Sequence, residues 1–416
     1  MIRRLQVLAI AAVVLVAAFS TGLPFLFYLV YLGVLVIGGS CVVTRLALLN
    51  LEAGYAVSQL FGHVGDELKV TYTLRNAGWL PKPWLEVHNP TTLPTGLSGR
   101  ALSIGSRAER SWQVKVPLAR RGSFRIEPLH IRSGDPFGFF EVTATVGQGV
   151  SLIVYPKVDR LPYWKLPTAT VEGSQASPER TLQTTPLATT VRPWAPGDSF
   201  NRIHWPSTAR QGDIQVKEFE LEQTADAWIF LDLDSRVQAG EGEDSTIEVA
   251  VRAAASIADR ALLENRAVGL TASGHRMLVL PADRGSRQQL KMLQTLAAVE
   301  GDGRTPLAEA LAQGLPRMRR GMTAVVLTSS VDRTWIRPLA SLRPRGVASV
   351  VIWLDAASFA EAALAAHEAA GTTPPAAVIR APDAQQARAV RHALAEYDIR
   401  THTVKMGSRL AEVLAR

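Results

Sequence analysis

Cysteine is almost absent from this chain. Cys41 is the only cysteine among 416 residues, and it lies within an apolar run. A single thiol excludes a disulfide framework within the chain, a CxxC redox motif and a zinc site built from several thiolates. The eight histidines show no metal-ligand spacing, and no HExxH motif is present. The sequence therefore gives no indication of a disulfide-stabilised fold or a metalloprotease.

The motifs of familiar nucleotide-binding and hydrolytic enzymes are missing as well. There is no GxxxxGK(S/T) phosphate loop, no GxGxxG motif after a strand and no GxSxG nucleophile elbow. We therefore predict that the protein is not an enzyme. The formal net charge is +8, but the basic residues are scattered and form no stripe interleaved with aromatic residues. Nucleic acid is therefore not a predicted partner.

Charged residues are also absent from Leu5 to Thr44. A helix needs about 20 apolar residues to cross a bilayer, and this run is twice that long. Turn-forming residues at Ser20–Pro24 divide it. The pattern predicts a hairpin of two transmembrane helices, Leu5–Ser20 and Phe25–Val43. A cleaved signal peptide ending near Ser20 is the alternative, but the second apolar span directly behind it argues against cleavage.

Basic residues flank both ends of this hairpin. Arg3 and Arg4 precede the first span, Arg45 follows the second, and the turn between them carries no charge. The positive-inside rule then places both termini and the rest of the chain in the cytoplasm, with the lipid bilayer as a partner. We predict a cell-membrane protein with two spans, residues 1–48.

Two patterns follow the hairpin. From 49 to 160 apolar residues alternate with polar ones, as in Leu68–Arg75, and this predicts an immunoglobulin-like β-sandwich. Residues 161–190 lose the pattern and are predicted to be a linker. Within 191–416, apolar strands such as Trp228–Leu233 and Ala324–Thr328 alternate with helical stretches such as Thr246–Asn265. That alternation predicts a doubly wound α/β domain with a parallel sheet.

The segment Arg192–Glu222 combines charged and aromatic residues at unusual density. We predict a short helix over Phe200–Ala209, capped by Asp198 or Ser199, and a strand over Asp213–Leu221. Three interpretations are open: an ion-pair clamp between the soluble domains, a partner-docking surface, or an active site with His204 as acid or base. The candidate residues for the clamp or the docking surface are Arg192, Asp198, Arg202, His204, Trp205, Arg210, Lys217 and Glu218.

This segment resembles the signature of the family called domain of unknown function 58. The resemblance is carried by Arg192, Pro196-Gly197-Asp198, Arg202, Ile203-His204-Trp205, Arg210 and Lys217-Glu218-Phe219-Glu220. It is supported by Arg121-Gly122, Asp135-Pro136-Phe137-Gly138 and Val154-Tyr155-Pro156. The resemblance implies a C-terminal domain similar to von Willebrand factor A domains. It also implies an adaptor role beside a MoxR-type AAA+ ATPase.

Domains of the von Willebrand type bind a divalent cation through a DxSxS loop, a threonine and a later aspartate. In this sequence Asp232 matches the first position, Asp234 and Arg236 replace the two serines, and Thr305 matches the threonine. Leu327–Ser330 lacks the expected aspartate, and Asp332 is displaced from its position. The resemblance thus implies a degenerate Mg²⁺ site at Asp232, Asp234, Ser235 and Thr305. Divalent binding is predicted to be weak or absent, since Arg236 offers an ion pair instead.

Three functions are consistent with these features of the sequence. The first is a cytoplasmic, membrane-tethered interaction module that works with a MoxR-type ATPase. The second is an enzyme of unknown reaction that uses the Arg192–Glu222 segment. The third is an extracytoplasmic binding protein, which requires the inverted topology.

Overall fold

The computed structural model describes residues 2–167, 190–196, 198–218, 226–379 and 381–415. The chain divides into two compact units. The first comprises Met1–Lys157 with Leu293–Ala298, and the second comprises Val158–Met292 and Val299–Arg416. Most of the linker predicted at 161–190 lies outside the described residues. The bounds of the four predicted segments stay predictions.

The first unit begins with two helices and continues as β-structure. The helices are α1 (Ile2–Thr21) and α2 (Pro24–Ala47). The strands are β1 (Leu51–Val57), β2 (Phe61–His63), β3 (Glu67–Asn76), β4 (Lys82–His88), β5 (Arg100–Ile104), β6 (Glu109–Pro117), β7 (Gly122–Ile126), β8 (Leu129–Gly134), β9 (Glu141–Val146) and β10 (Val150–Tyr155).

Among the described residues, α2 is the one helix that is long and apolar enough to cross a membrane. At about 1.5 Å per residue its 24 residues span about 36 Å, somewhat more than the hydrocarbon core. The described apolar part of α1 is shorter, Ile10–Thr21. The hydroxyl groups of Ser20 and Thr21 donate to carbonyl oxygens of the preceding turn. The second predicted span is thus a helix, but its crossing of the bilayer stays a prediction.

Three sheets enclose one apolar core in the first unit. Their strand orders are β1-β3-β6, β2-β10-β7 and β5-β4-β8-β9, and all pairs are antiparallel except β2 with β10. The buried side chains of β3 alternate with exposed ones, as the sequence pattern predicts. Leu74, Val87, Ile131 and Val154, from four different strands, belong to this core. A β-domain in this part of the chain is confirmed, and its immunoglobulin-like character stays a prediction.

The second unit begins with a hairpin and continues as an α/β domain. The hairpin elements are β11 (Thr190–Pro193), α3 (Trp205–Gln211) and β12 (Gln215–Glu218). The strands of the α/β domain are β13 (Ala227–Leu231), β14 (Val268–Ser273), β15 (Met277–Asp283), β16 (Thr323–Thr328), β17 (Ala348–Leu354) and β18 (Arg400–Val404). Its helices are α4 (Thr246–Leu263), α5 (Gly285–Ala298), α6 (Leu307–Gly314), α7 (Ile336–Ala340), α8 (Ala356–Ala370), α9 (Ala384–Glu396) and α10 (Leu410–Leu414).

These six strands form one sheet in the order β15-β14-β13-β16-β17-β18. All neighbours are parallel except β15, which pairs antiparallel with β14. Every residue of β13, β14 and β16 is buried, as expected for strands covered on both faces. Trp228 and Phe230 share an apolar core with residues of α6, α7 and α9. The predicted α/β region is confirmed, with one antiparallel edge strand that the sequence pattern did not predict.

Local sequence explains where these elements start. Ser245 precedes α4, and its hydroxyl accepts a hydrogen bond from the Glu248 amide, in the S-x-x-E pattern of a capping box. Asp383 caps α9 in the same way through the amide of Gln385. Pro281 interrupts β15, and a proline is tolerated there because β15 lies at the edge of the sheet.

Candidate functional site

Strand β13 is the point at which the strand order of the sheet reverses. It is the first strand of the domain, the next strand β14 lies on one side of it, and β16 lies on the other. In open α/β sheets, ligands bind in the crevice outside the carboxyl ends of the strands at such a reversal. Asp232 follows β13 directly, so its side chain lies at this position.

The carboxylate of Asp232 is buried and hydrogen-bonded on both oxygens. Oδ2 accepts a hydrogen bond of 2.6 Å from the Thr328 hydroxyl, and Oδ1 accepts one of 3.1 Å from the Asp234 amide. Burial raises the pKa of Asp232 to about 6, although these two hydrogen bonds favour the ionised form. The site thus holds a carboxyl group that changes charge near neutral pH.

Asp234 lies two residues further on and is paired with Arg236. Nε of Arg236 lies 2.9 Å from Oδ1 of Asp234, and Nη2 lies 2.6 Å from Oδ2. The Asp234 side chain is 6% exposed and that of Arg236 is 58% exposed. Two parallel hydrogen bonds of this kind are among the strongest contacts between side chains. The turn after β13 therefore contains an ion pair that is buried at its acidic end and open to solvent at its basic end.

A glycine holds the neighbouring loop against this turn. The Ser235 amide donates to the Gly303 carbonyl at 2.9 Å, and the Gly303 amide donates to the Leu233 carbonyl at 3.0 Å. A Cβ atom at Gly303 would lie 2.3 Å from the Ser273 carbonyl oxygen, so only glycine fits. Nη2 of Arg236 also donates to the Arg304 carbonyl. These contacts bring the loop that contains Thr305 beside Asp232, Asp234 and Ser235.

The arrangement does not fit a magnesium ion. Mg²⁺ requires near-octahedral oxygen ligands, and both oxygens of Asp234 accept hydrogen bonds from Arg236. Among the described residues, no three acidic, histidine or cysteine side chains form a cluster suited to a metal. Asp332 accepts two hydrogen bonds from Thr334 in its own loop. The geometry corresponds to the ion-pair alternative, and the strength of cation binding at this site stays a prediction.

Sequence reasoning missed Thr328 as a member of this site. Its hydroxyl donates to Asp232 and accepts a hydrogen bond from the Ser330 amide. Thr328 ends β16, the strand beside β13, so the two carboxyl ends meet. The signal in the sequence that could have identified Thr328 is a hydroxyl residue at the end of an apolar strand. It was overlooked because an aspartate was expected in this region.

The signature segment forms a small unit of its own. Strands β11 and β12 pair antiparallel, and the Trp194 amide donates to the Ile214 carbonyl at 2.8 Å. Arg192 binds Asp198 through two hydrogen bonds of 2.8 Å each, and Asp198 also accepts from the Ala195 amide. The predicted capping role of Asp198 and Ser199 is wrong, because Asp198 binds a guanidinium group instead and Ser199 makes no capping hydrogen bond.

The predicted helix of this segment is shorter than expected. A single 3-10 turn spans Phe200–Arg202, and α3 begins at Trp205. His204 lies between them: its amide donates to the Gln215 carbonyl, and its Nδ1 lies 2.7 Å from the Ser207 hydroxyl oxygen. These contacts fix the His204 ring against the start of α3. They do not decide among the three interpretations of the segment.

Apolar surface remains exposed on this ordered segment. The Trp205 side chain is 67% exposed, Phe200 is also exposed, and Arg210 is exposed in the last turn of α3. Lys217 is half-buried in β12. Gly197, Phe219, Glu220 and the end of the predicted strand to Leu221 lie outside the described residues, as do the side chains of Arg202 and Glu218.

A family model matches the middle part of this chain. Residues 190–364 match the family model described as "Protein of unknown function DUF58". That range contains the signature segment and the turn after β13. It covers less than half of the chain.

Two curated relatives are uncharacterised proteins. "Uncharacterized protein YeaD" of Bacillus subtilis (strain 168) is 28% identical over 275 residues, which cover 64% of this chain and 67% of that protein. "Uncharacterized protein Rv1480" of Mycobacterium tuberculosis (strain ATCC 25618 / H37Rv) is 30% identical over 176 residues. The aligned part covers 39% of this chain and 53% of the mycobacterial protein, about half of its length.

Solved structures are similar only at a low level. The CARDB domain of the PF1109 protein from Pyrococcus furiosus has a TM-score of 0.20 and 13% identity, over 25% of this chain and 91% of that one. Proximal thread matrix protein 1 from the mussel byssus has a TM-score of 0.26 and 12% identity, over 31% of this chain and 38% of that one. Similarities this weak do not define the fold.

Proposed function

We propose that this protein is a membrane-tethered interaction module rather than an enzyme. The helix α2, with α1 as a second span, anchors the chain, and the second unit binds a partner protein. The observation that carries the proposal is the exposed aromatic surface on the signature segment. Trp205 and Phe200 are held at the surface by a hydrogen-bonded hairpin, within the range that matches the family model.

The turn after β13 supports the same function. It lies where the strand order of the sheet reverses, which is where α/β domains bind ligands, and the Arg236 side chain is 58% exposed there. The order, with an antiparallel edge strand, also supports the resemblance to von Willebrand factor A domains. Exposed arginine and tryptophan side chains suit a protein partner, since these residue types dominate interface energetics.

The proposed partner is a MoxR-type AAA+ ATPase, as the family resemblance implies. The chain contains no phosphate loop, so a motor protein has to supply any ATP-driven work. The proposed location is the cytoplasmic side of the cell membrane. A reporter fused to the C-terminus that is active only outside the cytoplasm would contradict this orientation and favour the extracytoplasmic alternative.

The docking surface can be tested with one exposed residue. Truncation of a tryptophan anchor often weakens binding by about 2 kcal/mol, which is roughly a thirtyfold loss of affinity. We expect Trp205→Ala to lose co-purification with the ATPase while its melting temperature stays nearly unchanged, because the indole is exposed. Tyr163→Ala is the matched control, since Tyr163 is an exposed aromatic residue of the same unit outside the segment.

Three other results would each favour a different role for the Arg192–Glu222 segment. A large fall in melting temperature for Trp205→Ala would indicate a structural clamp. A folded variant that still binds the ATPase would place docking elsewhere. Turnover of a small substrate that is lost in His204→Ala would favour the enzyme alternative.

A further inference from the structure

The end of α2 is fixed to the β-domain by hydrogen bonds rather than by a loose connection. The Lys82 ammonium group is buried and donates to the Leu46 carbonyl at 2.6 Å, in the last turn of the helix. The Ala77 amide donates to the Asn50 carbonyl at 2.9 Å. Both donors belong to residues 77–84, the connection between β3 and β4 and the start of β4. This segment therefore lies directly beside the point where the chain leaves α2.

The same segment presents large aromatic side chains to solvent. Trp79 is 73% exposed, and Trp84 is also exposed. The Trp84 ring lies against Gly134, where a Cβ atom would be 3.4 Å from its Cζ3 atom. Gly134 ends β8 and leads into the loop that contains Phe137, whose side chain is 60% exposed. Two neighbouring segments thus expose three aromatic residues, close to the end of a helix long enough to cross a membrane.

The aromatic residues of these segments and the positive charge near them suit a lipid surface. Tryptophan is enriched where a membrane meets water, because its ring is apolar and its N–H is polar. Arg45, in the last turn of α2, and Arg107, whose amide donates to the Gly78 carbonyl, add positive charge nearby. The acidic Glu141, which follows the Phe137 loop, is paired with Arg132 at 2.5 Å.

Helix α2 also contacts the β-domain along its last two turns. Ser40, Thr44 and Ala47 are buried on one side of the helix, and α2 touches β8 and β9. The β-domain therefore stands beside the end of α2 instead of being separated from it by a spacer. If α2 crosses the bilayer, its length leaves the final turn at the level of the lipid headgroups. Trp79 then lies at the same level.

We propose that Trp79, Trp84 and Phe137 form an aromatic anchor that inserts into the headgroup region of the bilayer and fixes the β-domain on the membrane surface. The inference rests on the proposed span by α2. It assigns the membrane-facing side of the β-domain and a lipid partner for it, whereas the proposed docking surface lies in the second unit.

The single native cysteine makes a direct test possible. The full-length protein is placed in vesicles of phosphatidylethanolamine and phosphatidylglycerol, and an environment-sensitive fluorophore is attached to one cysteine at a time. Cys41 itself reports on α2. In a Cys41→Ser background, Pro81→Cys labels the exposed position between Trp79 and Lys82 without removing an aromatic residue. Leu60→Cys, beside the exposed Phe61 on β2, is the matched control.

Spin labels at different positions along the lipid quench the fluorophore, and so measure how deeply each labelled residue lies in the bilayer. Cys41 lies six residues, or about 9 Å, before the end of α2. We therefore expect the Cys41 label to be quenched most by spin labels in the upper part of the acyl chain. The Pro81 label should lose most of its fluorescence with spin labels near the headgroup, and the Leu60 label should lose none. Replacing Trp79 and Phe137 by alanine should remove the quenching at Pro81 and leave that at Cys41 unchanged.

The quenching results test the aromatic anchor and the membrane span of α2 separately. Quenching at Cys41 without quenching at Pro81 overturns the anchor and leaves the span intact. No quenching at Cys41 overturns the span, and the anchor with it. Equal quenching at Pro81 and Leu60, or quenching at Pro81 that survives the two alanine replacements, also overturns the anchor.

Discussion

The ion pair after β13 is the feature of the candidate site most open to experiment. Arg236→Ser removes the guanidinium group, so the buried Asp234 carboxylate loses its charged partner and keeps the hydrogen bond from the backbone amide of residue 236. Breaking a buried pair costs about 3–5 kcal/mol, whereas exposed pairs contribute about 0–1 kcal/mol. The cost falls on the Asp234 carboxylate, which is 6% exposed and loses its charged partner, and we expect a loss of about 2 kcal/mol, between these two limits. For a unit of this size, that lowers Tm by roughly 4–8 °C.

The same change should create a cation site. Without Arg236, the oxygens of Asp234 lose their positive partner, two residues from the buried carboxylate of Asp232. Mg²⁺ that binds with a Kd of about 1 mM would restore about 1.4 kcal/mol at about 10 mM. We therefore expect the Tm of Arg236→Ser to rise on addition of Mg²⁺, and that of the natural protein to stay constant.

The assay is thermal unfolding of the full-length protein in detergent, followed by tryptophan fluorescence. Arg333→Ser is the matched control, because Arg333 is an exposed arginine in the loop after the neighbouring strand β16. An unchanged Tm for Arg236→Ser would show that the pair does not stabilise the fold. A Tm of the natural protein that rises with Mg²⁺ as much as that of the variant would refute the idea that Arg236 excludes a cation.

Two further predictions follow from buried ionisable groups. The pKa of Asp232 is raised to about 6 from about 3.9, so this carboxyl group should contribute a loss of about 3 kcal/mol of stability as pH rises from about 4 to about 6. Asp232→Asn should remove that contribution, and melting curves of the two proteins across this pH range measure the difference. Lys82→Met removes the bond to the Leu46 carbonyl, worth about 1 kcal/mol. Cleavage at Leu48–Asn50 by a protease should become roughly fivefold faster, and an unchanged rate would mean that the bond does not hold the junction.

Regular hydrophobic patterns made most of the fold predictable. The alternation in Leu68–Arg75 predicted β3, and the apolar runs after residue 227 predicted β13 and β16. Strand β15 was missed because its apolar run, Met277–Leu280, is only four residues long and is followed at once by Pro281, and a proline is found in a strand mainly at the edge of a sheet.

The candidate site was predictable only in part, because it depends on long-range contacts. Asp232, Asp234 and Arg236 are close in sequence, and their pairing could be proposed from residue types. The hydrogen bond from Thr328 to Asp232 joins residues 96 positions apart, and only the strand order brings them together. Asp198 shows the opposite difficulty: a capping role suits its type and position, but the guanidinium of Arg192 forms stronger, charge-assisted bonds with it.

The short junction between α2 and β1 limits what the β-domain can reach. Only Leu48–Asn50 separate the helix from the first strand. A flexible linker of about 20 residues would let a domain sample roughly 25 Å around its attachment point. This domain instead has a fixed height and a fixed rotation about the helix axis. With α2 in the bilayer as proposed, a partner in the same membrane would meet the domain at one height. Inserting a glycine-serine spacer after Asn50 would let the domain reach a larger volume at a lower effective concentration.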